Sequence, residues 1–195
     1  MLERWALKLA DSFIVSGANP DEREIYAYAI ECLLGSAICY GLLLLLSVII
    51  SSFFEMAVWL LFWIPLRLNF GGFHAPTHAL CTVLSLILGV GGVLLAKYFM
   101  PDLPVILVSM AFCILVTFMV APVLHANKPA SESRQKQAKK AVRIVVIVES
   151  AAIILFYFIF PRWVSSAATY GVVLTVLFGL LGKAVNKLPE ANESR

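Results

Sequence analysis

Six long apolar runs dominate this chain, read near residues 24–50, 54–70, 77–98, 103–121, 142–160 and 164–182. A helix needs roughly 20 mostly apolar residues, at a rise of about 1.5 Å each, to cross a bilayer. Inside hydrocarbon only helices and closed barrels satisfy their backbone groups, and these runs are continuous, without the alternation of a barrel strand. The expected fold is therefore all-α, a polytopic membrane protein with about six spans in one domain covering residues 1–195. Composition agrees: 61% hydrophobic residues, 14% charged residues and a mean hydropathy of +0.91 leave too little polar surface for a water-soluble globule. The second run is the weakest, because it begins beside Glu55 and contains Pro65. It is expected to be short, tilted or broken at the proline.

Ahead of the first span, Leu2, Trp5, Leu9 and Phe13 recur at helical spacing opposite Glu3, Arg4, Lys8 and Asp11. This predicts an amphipathic interfacial helix over residues 1–16, an anchor or a docking surface for a second such helix. Those charges and the lack of an apolar core argue against a cleavable signal peptide. Asn19 and Pro20 are suited to capping and starting the next helix. Cys32, Cys39, Cys81 and Cys113 all fall in spans, so no disulfide framework is expected.

With a cytoplasmic amino terminus, thirteen Lys and Arg fall inside and only Lys97 and Arg162 outside. That is the pattern of the positive-inside rule with an even number of spans, so both termini are expected in the cytoplasm. The net charge of +3 is then a topology signal, and with no soluble basic domain a nucleic-acid partner is not expected. The basic loop at residues 122–141 has a second reading: Lys136, Lys139 and Lys140, with Arg134 and Arg143, can hold anionic membrane lipid or an acidic substrate tail.

Chemistry concentrates in residues 67–81, which read Arg-Leu-Asn-Phe-Gly-Gly-Phe-His-Ala-Pro-Thr-His-Ala-Leu-Cys. A thiol near an imidazole is the minimal nucleophile and base pair. On a straight helix His74 and Cys81 lie about 10 Å apart along the axis, too far for proton transfer, so they meet only if the chain bends at Gly71, Gly72 and Pro76. His78, three residues from Cys81, faces it on a regular helix and is the easier partner from spacing alone.

Arg67, Gly71, Gly72, His74, Ala75 and Cys81 follow the order R-x3-G-G-x-H-A-x5-C. This resembles the signature of the accessory gene regulator B (AgrB) family, bacterial membrane peptidases of peptide quorum sensing. Tyr28 and Glu31, and Ala121-Pro122 followed by Asn127-Lys128-Pro129, resemble other parts of the family pattern. The resemblance implies a cysteine endopeptidase of the bacterial cell membrane, with Cys81 as nucleophile, His74 as base and no cofactor. The implied substrate is an AgrD-type propeptide, held as a thioester and closed by an internal Cys or Ser into a thiolactone or lactone. A homodimer is expected from the resemblance alone.

Around this pair, Arg67 is a candidate for neutralising the thiolate or oxyanion, for binding a substrate carboxylate, or for anchoring its span. Gly71 and Gly72 are candidates for a positive-φ turn and for oxyanion donors. Glu31, about 10 Å into the first span, is the candidate third catalytic member, and a packing role is an equal alternative. Glu149 is a weaker candidate, Glu55 is read as structural and His125 as solvated, and Cys32, Cys39 and Cys113 are read as packing residues. Two rival classes remain at this stage: a zinc hydrolase using His74, His78 and Cys81, and a non-catalytic protein of peptide export. Pro76 and the lack of an H-E-x-x-H glutamate weigh against zinc.

Overall fold

The computed structural model describes residues 2–15, 19, 23–71, 78–123 and 132–192, with the side chains of residues 2, 3, 78, 79, 132–134 and 186–192 outside the description. It is all-helical: α1 (Leu2–Val15), α2 (Arg23–Ile49), α3 (Phe53–Phe70), α4 (His78–Tyr98), α5 (Leu103–Val120), α6 (Glu132–Ile159) and α7 (Arg162–Asn192). Six of these, α2 to α7, are long and apolar enough to cross a membrane, and the short first helix is amino-terminal. This is the expected multi-pass membrane architecture.

Helix α7 is the centre of the bundle. It packs against α3, α4, α5 and α6, and 67% of its apolar window is buried, against 17% for α2. Small residues permit that close approach: a Cβ on Gly171 would stand 2.9 Å from the Trp59 carbonyl oxygen of α3. Its buried hydroxyls bond to backbone carbonyls, Ser166 to Ala96 O across to α4 and Thr169 and Thr175 back along their own helix. One core cluster joins α3, α5, α6 and α7 around Phe62, Phe70, Met110 and Val146. A second joins α2, α3, α4 and α7 around Leu43, Trp59, Trp63 and Phe178.

The alternating helices sort the connections to two ends. At one end Asp11 pairs with Arg23 (2.6 Å) and the segment after α3 meets the segment after α5. At the other, the α2–α3 turn is held by Lys97 Nζ, which donates to Ser51 O (3.2 Å) and Ser52 Oγ (3.1 Å), and Arg162 pairs with Asp102.

Three expectations need correction or placement. Pro65 does not break the second span: α3 is helical through Phe70. The proline removes one backbone donor, but tertiary packing holds the helix, with Leu66 and Phe70 fully buried against the core. Nor does the basic segment remain a loop to residue 141, because α6 starts at Glu132 and carries Lys136, Lys139 and Lys140. Hydropathy marks only where a helix becomes apolar, whereas Gln, Lys, Ala and Arg all favour helix. Third, α1 has three faces rather than two. Ala6 and Ala10 are buried in a helix packed on α2, while the Trp5, Leu9 and Phe13 stripe stays exposed. Asn19 is outside any helix, and the start of α2 expected at Pro20 lies outside the described residues.

Candidate active site

Helix α4 carries Cys81 in its first turn after His78, and two features fix its level in the bundle. The Cys39 thiol of α2 lies within interaction range of the Ser85 hydroxyl of α4. Four residues further along both helices, Gly89 faces the Leu43 side chain. The two helices therefore run parallel in register, with Cys81 opposite residue 35 of α2. Glu31 sits four residues beyond that, about 6 Å toward the start of α4 at helical rise. That is the level at which α4 begins.

Beside Cys81 the bundle assembles groups from three helices. Cys81 is half-buried, and the Arg67 guanidinium of α3 and the Tyr40 phenol of α2 both lie within electrostatic range of its thiol. Cys39 interacts with it as well. Arg67 Nη1 donates to Gly71 O at 2.6 Å and its guanidinium stacks 4.8 Å from the Phe178 ring centroid on α7. Two neighbours thus fix the guanidinium at the end of α3.

Gly71 begins the glycine turn with φ +75°. It bridges Val123, and Val123 N donates to Phe70 O at 2.8 Å. A Cβ at position 71 would strike the Val123 carbonyl oxygen. The amide of Gly71 is already engaged with Arg67 O (3.3 Å), closing the end of α3. Two segments that each resemble the family pattern, one at Gly71 and one at Ala121-Pro122, are therefore in contact through Val123. Gly72 and His74, and the bend expected at Pro76, lie outside the described residues, as does the side chain of His78.

A family model described as AgrB, Accessory gene regulator B, matches residues 3–180. The chain belongs to the AgrB family. No curated protein and no solved structure matches it. Membership in the AgrB family implies processing of an AgrD propeptide for quorum sensing, and with it peptidase activity.

The remaining candidates of this AgrB-family chain fall in different surroundings. On α2, Tyr28 lies within interaction range of Cys32 one turn on and within electrostatic range of Glu31. Glu149 is buried on α6, in the half of the bundle built from α3, α5, α6 and α7, and both its oxygens lack a hydrogen-bond partner. It is not part of the Cys81 neighbourhood. Cys113 is buried on α5. Among the described residues no three His, Cys, Asp or Glu side chains converge as metal ligands. Sequence reasoning missed Tyr40 and Ser85. The available signal was a phenol and a hydroxyl deep in apolar spans, where each needs a partner.

Proposed function

We propose that this AgrB-family protein is a cysteine endopeptidase that cuts its propeptide through a Cys81 thioester. The observation that carries the reading is the Arg67 guanidinium, fixed on Gly71 O at 2.6 Å within electrostatic range of the half-buried Cys81. A fixed cation within electrostatic range of the reacting atoms stabilises negative charge that develops there during the reaction. In the proposed reaction His74 takes the Cys81 proton, and the sulfur attacks the scissile carbonyl. The imidazolium then protonates the departing amine, which leaves with the carboxyl-terminal fragment. A Cys or Ser within the retained peptide attacks the thioester, closes the thiolactone or lactone and returns Cys81. Shielding from water favours that internal attack over hydrolysis.

Arg67 supplies charge stabilisation, and Glu31 orients the histidine from its level one turn beyond Cys81. Since the Gly71 amide is engaged within the chain, Gly72 is the better oxyanion donor of the two. The bundle end that carries Arg23, Arg67 and the lysines of α6 faces the cytoplasm, a reading supported by the distribution of Lys and Arg.

The test is cleavage of a cognate propeptide in liposomes, followed by mass spectrometry. Cys81→Ala and His74→Ala are expected to lower the rate at least about a thousandfold, while His78→Ala retains cleavage and wild type resists chelators. Cleavage that survives Cys81→Ala but stops with chelator would overturn this reading in favour of zinc. Product release that survives both Cys81→Ala and chelator would point to a non-catalytic role.

A further inference from the structure

Helix α6 places Lys136, Lys139, Lys140 and Arg143 on one face, at spacings of three and four residues. They line a groove of about 370 Å³ together with Ile144 and Ile147. Four pairs among these cations, Lys136/Lys139, Lys136/Lys140, Lys139/Arg143 and Lys140/Arg143, are like-charge pairs at i,i+3 or i,i+4, an arrangement that disfavours a helix unless an anion lies between them. The ion pairs seen among the described residues join Asp11 to Arg23 and Asp102 to Arg162, and neither involves these four cations. Arg143 is held in place from α5: its guanidinium stacks 4.7 Å from the Phe118 ring centroid, and Nη2 donates to Phe118 O at 3.4 Å.

Along the helix axis the lining changes from charge to hydrocarbon. The cations extend over about 10 Å, and Ile144 and Ile147 continue the face into the part of α6 that crosses the membrane. An acidic peptide has use for the first half of this groove only. An amphiphile with an anionic head and an acyl tail matches both halves.

We propose that this groove binds an anionic glycerophospholipid, its phosphate among Lys136, Lys139, Lys140 and Arg143 and an acyl chain along Ile144 and Ile147. The site is separate from the Cys81 neighbourhood, and its failure leaves the peptidase reading untouched.

The experiment uses full-length protein in detergent, with native mass spectrometry counting retained phosphatidylglycerol and phosphatidylcholine of identical chains. Wild type is expected to retain phosphatidylglycerol selectively. The K136Q/K139Q/K140Q variant should lose it by about fivefold per cation removed, and a control losing the same charge elsewhere, R4Q/K8Q/K183Q, should retain it. Hydrogen exchange across residues 136–147 of wild type should slow in phosphatidylglycerol nanodiscs relative to phosphatidylcholine ones, a readout that needs no variant. The proposal is overturned if the triple variant retains phosphatidylglycerol like wild type, or if exchange does not respond. It is equally overturned if soluble glycerol phosphate slows exchange as much as the lipid, which assigns a free-anion site. An acidic peptide that protects residues 136–147 where phosphatidylglycerol does not would assign the groove to a peptide instead.

Discussion

A side chain at position 71 meets two obstacles, a positive φ and the Val123 carbonyl directly in the path of its Cβ. Gly71→Ala is expected to destabilise the protein by about 1–3 kcal/mol and to slow propeptide cleavage, because the Arg67 contact to Gly71 O depends on this backbone. Gly91→Ala is the control, since a Cβ there meets nothing within 4 Å. Thermal melts in detergent and cleavage rates that are equal for the two variants would refute this account of the turn. At this scale the sequence made Arg67, Gly71 and Cys81 legible because they lie in one short segment with fixed spacing. It gave no sign that Val123 would join them or of which group the Tyr40 phenol would meet, since those relations arise from helix register and loop pairing between segments far apart in the chain.

Elements were the most legible level, because apolar length is what a bilayer demands of a helix. Deviations came where something other than hydropathy decides, as with Pro65 inside α3 and the charged first turns of α6. The α1 helix is a further case: its exposed apolar stripe was readable, but the Ala6 and Ala10 face that packs on α2 looked like spacing. Its attachment also depends on an ion pair. The Arg23 guanidinium, bonded to Asp11 at 2.6 and 2.9 Å, holds the Asp11 carboxyl below the usual carboxylate range. A carboxyl depressed in the folded state contributes fully above its unfolded value and loses that contribution as pH falls through its folded one. The α1–α2 attachment should thus be constant near neutrality and loosen only in acid, below the usual carboxylate range. A nitroxide at Leu9→Cys in a cysteine-free background should show a rise in mobility there, and Asp11→Asn should show it already at neutral pH. Equal mobility of the two proteins at neutral pH would exclude the ion pair as the tether.

For the whole molecule, the span count was readable and the choice of α7 as the central helix was not, although Ser165, Ser166, Thr169 and Thr175 gave a hint. Small polar residues suit a helix surrounded by other helices, since each hydroxyl finds a carbonyl. Orientation is testable at this scale. In the same cysteine-free background, a membrane-impermeant maleimide applied to intact cells should label Phe99→Cys and spare Gln137→Cys, both exposed positions at opposite ends. The reverse pattern would invert the proposed topology. The contrast between those ends is steeper than the count of charged residues implies. Lys97 is ligated by the carbonyls of Ile50 and Ser51 and the Ser52 hydroxyl. Arg162 is occupied by Asp102, the Pro101 carbonyl and the Tyr157 ring. In the folded protein both cations of that end are engaged within the chain, so lipid headgroups there meet a weaker positive field than at the opposite end, and electrostatic grip on the bilayer is one-sided.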